Sequence, residues 1–457
     1  MKPPKGNKVA TSRRLALEIL RRVEAEGAFA TLSINHSLRR NPGLSPQDRA
    51  LVTELVYGTL RWRRRLDYAL KAYSHRPLDK IEPVLLRILR ISAYQLLFLD
   101  RVPVWAAADQ GTELAVMMRG RRAGGFVNGV LRSLARHREQ IDWPASDSDQ
   151  VRALAVMHSF PNWMVEWWLN TFGKEKAVNL MEACNKPPPL WVRANSLRIT
   201  SEGLCSMLAA TAHEAQEIKE VPGAVKLRGI GDISKLAAHQ AGLFHVQDAA
   251  AQAVCHLLDP RPGDKVLDAC GAPGGKTATI AQLMQDQGEI VSVDIHPARV
   301  VLVKQLLNRL GISCVQRHAH DLNESAPADW GSFDRVLLDA PCSSIGVLRR
   351  HPESKWRLAP NDLQRLSQIQ RELLDNVSKM VKPGGSLVYS VCTFSQEEGS
   401  DLIKTWLGNH PEFELSDPRE GKRQPWHKLL DREGMLATWP DKHDMDAFFA
   451  ARVARKT

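Results

Sequence analysis

The sequence predicts a multidomain chain: an all-α N-terminal domain, a small α/β middle segment, and a C-terminal α/β domain on a doubly wound parallel sheet. Three observations carry that expectation. From Ser12 to about Ile141 apolar residues recur at helical spacing. The run Lys186-Pro187-Pro188-Pro189 then breaks the chain. From Lys265 onward, short apolar runs alternate with helix-length segments, as strands and crossover helices do.

In the first segment, Leu15, Ile19, Leu20 and Val23 share one helical face with arginines opposite. Ser45-Pro46-Gln47-Asp48 has the form of an N-cap, a proline at the first helical position and an acidic first turn. Val84–Leu97 is apolar nearly all round and predicts a buried central helix. Arg61-Trp62-Arg63-Arg64-Arg65 and Arg119-Gly120-Arg121-Arg122 place basic clusters near helix ends, where they grip phosphates or form a solvated face. The first 142 residues hold 26 Lys/Arg against 13 Asp/Glu, whereas the remainder holds 36 against 38. An excess confined to one third points to a polyanion partner, and the basic arm at 1–11 lacks the apolar core of a secretory signal. No apolar run reaches membrane-spanning length, so nucleic acid is favoured over lipid.

Residues 143–160, with Pro144, Ser146, Asp147, Ser148 and Asp149, read as a polar boundary. Trp163, Trp167 and Trp168 follow at a helix start, where core packing is favoured over base stacking. Leu190–Asn195 alternates as a strand, and the region to about Ser234 mixes short strands and one helix. A helix is expected at Ala249–Leu258. Strands are expected at Val266–Ala269, Ile290–Asp294, Cys314–Asp321, Phe333–Asp339 and Ser386–Cys392, with helices at Pro297–Leu310 and Asp362–Val381. The right-handed crossover rule puts all five strand ends on one edge.

The chemistry gathers at that edge. The first strand enters Asp268-Ala269-Cys270-Gly271-Ala272-Pro273-Gly274-Gly275-Lys276-Thr277, a glycine-rich turn before a helix that matches neither the P-loop nor the dinucleotide spacing. Asp294 ends the second strand, where a carboxylate can accept from both ribose hydroxyls. Asp321 ends the third, placed for an adenine amino group, and Asp339 ends the fourth. For any single Asp a helix N-cap remains the competing role. Adenosine and an amino-acid carboxylate without a pyrophosphate clamp suggest S-adenosyl-L-methionine. The fourth strand continues into Asp339-Ala340-Pro341-Cys342, and the fifth carries Cys392, so two thiols share one cleft. The seven cysteines are odd in number and contain no C-x-x-C pair, which argues against disulfides and a zinc site and for a reducing compartment.

Two resemblances follow from these stretches. Leu51–Arg61 (LVTELVYGTLR) with Gly125–Arg132 (GFVNGVLR) resembles the NusB-type RNA-binding helical domain. Over essentially its whole length the chain resembles the RsmB/NOP family of RNA cytosine-5 methyltransferases, in its bacterial ribosomal form. That likeness rests on Ala269–Thr277, Leu338–Ser343, Arg349-Arg350-His351-Pro352-Glu353-Ser354-Lys355-Trp356 and Tyr389–Thr393. Gly271 departs from the family's commoner alanine and reads as a loosening of the turn; Ser390-Val391-Cys392-Thr393 departs from Thr-Cys-Ser but keeps the thiol.

The resemblance implies a basic arm at 1–11, a NusB-like domain at 12–142, a small α/β domain at 155–238 and a Rossmann-like S-adenosylmethionine-dependent methyltransferase domain at 239–457. It implies Cys392 as nucleophile and Cys342 as the thiol assisting adduct breakdown; the residues alone do not rank the two. The chemistry needs such parts. Carbon 5 of cytosine becomes nucleophilic only after a thiolate adds to carbon 6. Asp339 can hydrogen-bond the ring nitrogen 3 edge, and Lys276 with the helix N-terminus can supply an electropositive field for the thiolate. The expected substrate is small-subunit (16S) ribosomal RNA, with the target base unstacked to reach the cleft. No metal, membrane or DNA partner is expected, and the protein is expected to be a cytoplasmic monomer. The competing readings are a non-catalytic RNA-binding assembly factor on a methyltransferase fold, and a DNA cytosine methyltransferase.

Overall fold

The helical periodicity of the first third resolves into α1 (Thr11–Ala25), α2 (Ala30–Arg40), α3 (Pro46–Arg61), α4 (Arg63–Tyr73), α5 (Pro83–Phe98), α6 (Val104–Arg119) and α7 (Arg121–His137). The computed structural model describes residues 11–145, 149–421 and 423–457. Most of the N-terminal basic arm, together with Ser146, Asp147 and Ser148 of the expected boundary, lies outside the described residues. The chain forms two compact units, the first running to Lys186 and also taking in Leu348–Leu358, the second comprising Pro187–Val347 and Ala359–Thr457.

In the first unit, Leu15, Ile19, Leu20 and Val23 of α1 are buried, as their spacing requires. Ser45 caps α3 by accepting the Asp48 N–H at 3.1 Å. The central helix α5 is buried along most of its length, but it also encloses two arginines. Arg87 Nε lies 2.7 Å from Glu24, and Arg90 reaches both carboxylate oxygens of Asp67 at 2.7 and 2.8 Å. Each guanidinium pays for its desolvation with a carboxylate partner. Part of the expected phosphate-gripping cluster is likewise spent internally. Arg61 is buried, and Arg64 bonds the Phe160 carbonyl and Asn162 at 3.0 and 2.6 Å. Arg121 and Arg122, where α6 gives way to α7, stay exposed.

The expected boundary over 143–160 is corrected by α8 (Gln150–Met157), followed by α9 (Asn162–Asn185), which kinks at Gly173. Trp168 is buried in the core of α9's packing face. The segment Leu348–Leu358 contributes to this same unit. Lys355 Nζ donates to Asn185 Oδ1 at 2.7 Å and to the Ser159 carbonyl at 3.3 Å, and sits 3.7 Å above the Phe160 ring. Trp356 Nε1 donates to the Leu60 carbonyl at 2.7 Å, and Glu353 accepts the Ala30 N–H at 2.9 Å.

The second unit opens with β1 (Leu190–Ala194), α10 (Ser201–Leu208), β2 (Glu214–Glu217), β3 (Ala224–Arg228), α11 (Ala237–Gln240) and β4 (Phe244–Val246). These strands make an antiparallel sheet in the order β2-β3-β1-β4. There follow α12 (Ala249–Leu258), β5 (Lys265–Ala269), α13 (Gly275–Leu283), β6 (Glu289–Asp294), α14 (Pro297–Leu310), β7 (Val315–Ala319), β8 (Phe333–Asp339), α15 (Asn361–Ser378) and β9 (Val381–Val391). The chain ends with α16 (Ser400–Asn409), β10 (Phe413–Leu415), β11 (Leu436–Ala437), α17 (Pro440–His443) and β12 (Phe449–Arg455).

The large sheet runs β10-β12-β9-β8-β5-β6-β7, with β11 paired to β12. Its five expected strands are parallel neighbours, and Val266, Ile290 and Leu337 face one core while Leu267, Val291 and Leu338 face the other. Burial on both faces is what makes these strands continuous apolar runs. Three elements are corrected. The third strand ends at Ala319, so Asp321 lies in the following turn; the fifth runs Val381–Val391, so Cys392 stands just past it; and the helix expected to reach Val381 ends at Ser378. The antiparallel edge of β10, β11 and β12 was not expected.

Candidate active site

β5 lies between β6 and β8, so connections leave it in opposite directions and open a crevice at the carboxyl ends of the strands. The turn after β5 is built from residues that tolerate unusual backbone. Cys270 has φ 62°, Gly274 has φ 102°, and the Ala272–Pro273 peptide is cis. A Cβ at Gly274 would stand 3.1 Å from the Val303 Cα, so glycine is required there for conformation and for space.

Gly271 does more than loosen the turn. A Cβ at this position would stand 2.6 Å from both Asp268 Oδ2 and Ser292 Oγ. The turn is therefore pressed onto a buried polar group. Thr277 Oγ1 donates to Asp268 Oδ2 at 2.5 Å, while Asp268 Oδ1 is buried without a hydrogen-bond partner among the described residues. Burial above all pushes the Asp268 carboxyl up to about 7, against the lowering effect of Thr277.

The crevice has a volume of about 450 Å³ and is lined by Cys270, Ala272, Asp294, Asp321, Asp339, Cys342 and Cys392, among others. Seven residues expected from the sequence thus meet in one cleft. Gly271, Pro273, Gly274 and Gly275 shape the turn beside it. Asp294 is buried; its Oδ1 accepts the His296 N–H at 2.9 Å, and Arg299 stands 3.6 Å from Oδ2. Asp321 Oδ1 accepts from the Asn323 N–H and Nδ2 at 2.9 and 3.0 Å. In both residues one oxygen holds a turn, so the N-cap-like role and the ligand-facing position coexist.

Lys276, in the first turn of α13, reaches across to β8. Its Nζ is 2.7 Å from Asp339 Oδ2 and 4.8 Å from the Phe448 ring centroid. Burial alone would lower the Lys276 pKa, but the Asp339 charge and hydrogen bond outweigh it and leave the ammonium raised. Ser390 Oγ donates to the other Asp339 oxygen at 2.8 Å. Each carboxylate oxygen keeps a second lone pair, so Asp339 can still accept from a base edge.

The two thiols converge from β8 and β9. Cys342 Sγ is 3.1 Å from Cys392 Sγ, and Ser344 Oγ is 3.6 Å from the latter. The hydrogen bond to Cys392, followed by burial, holds the Cys342 thiol well above its ordinary range. Either sulfur can donate in this contact, and Cys392 Sγ can also donate to Ser344 Oγ.

Sequence reasoning missed the supporting groups: Ser390, Phe448, and a buried Glu398 behind the Cys342 loop. Glu398 carried no signal because a glutamate beside Glu397 in a polar stretch ordinarily reads as solvated surface.

The chain is similar to known proteins. Residues 255–454 match the family described as 16S rRNA methyltransferase RsmB/F, residues 10–136 the NusB family, and residues 160–234 the ferredoxin-like domain of RsmF/B-like methyltransferases. The chain is 36% identical over 452 residues to the probable ribosomal RNA small subunit methyltransferase B of Bacillus subtilis, covering 98% of this chain and 100% of that protein. It is 34% identical to ribosomal RNA small subunit methyltransferase B of Salmonella paratyphi B, over 90% of this chain and 92% of that protein. The crystal structure of PH0851 superposes with a TM-score of 0.82 at 25% identity, over 97% of this chain and 98% of that one. The chain belongs to the RsmB/F family of rRNA methyltransferases, with a NusB-family domain in its N-terminal third.

Proposed function

We propose that this protein transfers a methyl group from S-adenosyl-L-methionine to carbon 5 of a cytosine in small-subunit ribosomal RNA, through a covalent bond between Cys392 and the base. The observation that carries this reading is the pair of free thiols 3.1 Å apart, beside the Lys276–Asp339 ion pair.

The cleft suits the cofactor. Its volume of about 450 Å³ is that of a small-molecule site, and the buried Asp294 and nearby Asp321 offer acceptors for ribose hydroxyls and an adenine amino group. When bound, the cofactor supplies an electrophilic methyl group on a sulfonium. The chain's own residues make the base able to accept it.

Cys392 adds to carbon 6 of the ring, and the electron pair moves to carbon 5 and the nitrogen 3 edge. Asp339 faces that edge and orients the base, while Lys276 holds Asp339 and adds positive potential near the Cys392 sulfur. Cys342 then completes the reaction. After giving its own proton to solvent, Cys342, whose sulfur lies 3.1 Å from that of Cys392, takes the carbon 5 proton; the electron pair of the broken C–H bond restores the carbon 5–carbon 6 double bond, and the Cys392–carbon 6 bond breaks with its pair leaving on sulfur as the thiolate.

The RNA is held in part by the basic N-terminal unit, whose exposed Arg121 and Arg122 mark one contact region. The test is trapping with small-subunit rRNA carrying 5-fluorocytosine at the target, where loss of the carbon 5 proton is blocked. A denaturation-resistant complex that needs Cys392 supports the reading; a complex that survives Cys392→Ala refutes it.

A further inference from the structure

Behind the Cys342 loop lies a buried network that the reaction scheme does not yet use. Glu398 is fully buried, in the loop between β9 and α16. Its Oε1 accepts the Ser343 backbone N–H at 2.8 Å and Gln370 Nε2 at 2.9 Å, and its Oε2 accepts the Ser343 hydroxyl at 2.5 Å. Gln370, on α15, also donates to the Pro341 carbonyl at 3.0 Å. Tyr389 closes the arrangement: its hydroxyl lies 3.0 Å from Gln370 Oε1 and 2.6 Å from the Glu398 carbonyl. On the Cys392 side, Ser343 Oγ is 3.2 Å from Thr393 Oγ1, which accepts the Ser395 N–H at 3.1 Å.

The residues immediately flanking Cys342, Pro341 and Ser343, are therefore both tied to one carboxylate and its amide partner. That carboxylate belongs to the loop that leaves Cys392. A carboxylate is suited to this place because it presents two acceptors at fixed separation to two donors of a single residue. Burying it is costly unless all the donors are in place, so the loop has little freedom to drift. Glu398 touches neither thiol.

We infer that Glu398 is a positioning residue that fixes Cys342 against Cys392 by clamping Ser343, and so sets the rate at which the covalent adduct breaks down. The inference rests on the two-thiol reading above. Glu398 grips Cys342's neighbour Ser343 through both its N–H and its hydroxyl, whereas Cys392, whose neighbour Thr393 meets the network through Ser343 Oγ at 3.2 Å, is also fixed by its place directly after β9 and by its carbonyl's bond to the Gly346 N–H at 3.0 Å. Loss of the clamp therefore acts on adduct breakdown more than on adduct formation.

The experiment measures methyl transfer and the amount of denaturation-resistant enzyme–RNA complex on unmodified rRNA for the parent, Cys342→Ala, Glu398→Ala and Glu398→Gln. Cys342→Ala is expected to accumulate the complex. Glu398→Ala is expected to bind S-adenosylmethionine as the parent does, to turn over about a hundredfold more slowly, as a small misplacement of a reacting group can cost, and to accumulate the complex as well. Glu398→Gln keeps one carbonyl acceptor and the side-chain shape, and is expected to restore turnover to within about tenfold of the parent. Glu398→Ala with parental turnover, or with lost activity and no accumulated complex, overturns the inference while leaving the two-thiol reading intact. If Cys342→Ala accumulates no complex, that reading falls and the inference falls with it. Should Glu398→Ala fail to fold, Ser343→Ala removes only the hydroxyl donor; it is expected to slow breakdown about tenfold, and no accumulation in that variant overturns the inference.

Discussion

Lys276 and Asp339 join the glycine-rich turn to the strand that carries Cys342, through a 2.7 Å contact between Nζ and Oδ2. On the proposed reading this pair ties the cofactor side of the cleft to the base side, so its removal touches both. Lys276→Met leaves Asp339 without its cation and removes positive potential from the neighbourhood of Cys392. Methyl transfer should fall about a hundredfold, with slower formation of the 5-fluorocytosine complex, measured by single-turnover kinetics. Unchanged complex formation would remove Lys276 from the activation of the thiol.

The two cysteines should separate cleanly. Cys392→Ala should form no covalent complex with 5-fluorocytosine RNA, whereas Cys342→Ala should form it at near-parental yield. Reversed behaviour, scored on denaturing gels, would exchange the two roles.

Asp294 is buried at the end of β6, with Oδ1 engaged by the His296 N–H. Its replacement by alanine removes an ionised acceptor from the cleft. Cofactor affinity, measured by calorimetric titration, should weaken roughly 10- to 100-fold, the value of a hydrogen bond to a charged group. RNA affinity should be unaffected.

Asp268 predicts a pH dependence of stability. Its folded pKa of about 7 lies above the ordinary value of 3.8, so the folded state holds the proton longer than the unfolded chain. The contribution of Asp268 is therefore most favourable below about pH 4 and is lost as pH rises towards 7, by at most about 4 kcal/mol at ~1.4 kcal/mol per unit. Asp268→Asn should remove this component. The stability of the parent relative to Asp268→Asn, from urea unfolding at pH 4, 5.5 and 7.5, should fall across the series; a flat difference would show that folding leaves the pKa of this carboxyl unchanged.

Arg121 and Arg122 test the RNA-binding surface. Their joint replacement by alanine should weaken rRNA binding and reduce the slope of log affinity against log salt by about 1.4, the expectation for two lost phosphate contacts on a single strand. An unchanged slope would place the RNA on another surface.

How far the sequence revealed this structure varies by element. β8 was legible to the residue because Val336, Leu337 and Leu338 are buried on both faces and end in a carboxylate and a proline. β10 and β12 were not. The first has only three residues, and the second, Phe449–Arg455, holds three alanines and two arginines, a composition with little strand signal. The site was legible where chemistry demands rare residues, as with Cys342, Cys392 and the glycine turn. It was hidden where common residues act through burial. Nothing in Ser395-Gln396-Glu397-Glu398 distinguishes the solvated glutamate from the buried one, and only the fold places Ser343 and Gln370 around the latter. Asp321 shows a third kind of limit: the residue was found, but an Asx turn to Asn323 rather than a strand holds it.

The passage of Leu348–Leu358 into the helical unit makes the two units inseparable as stretches of sequence. A polypeptide stopped at Lys186 would lack the lysine that caps Asn185 and Ser159, the indole that bonds Leu60 and the carboxylate that receives the Ala30 N–H. Such a fragment would expose the beds of these side chains to water. During synthesis the helical unit can reach its final packing only after more than 350 residues have left the ribosome. Its maturation is thus deferred until the chain has already made Cys342, so most of the second unit's strands exist before the first unit is complete.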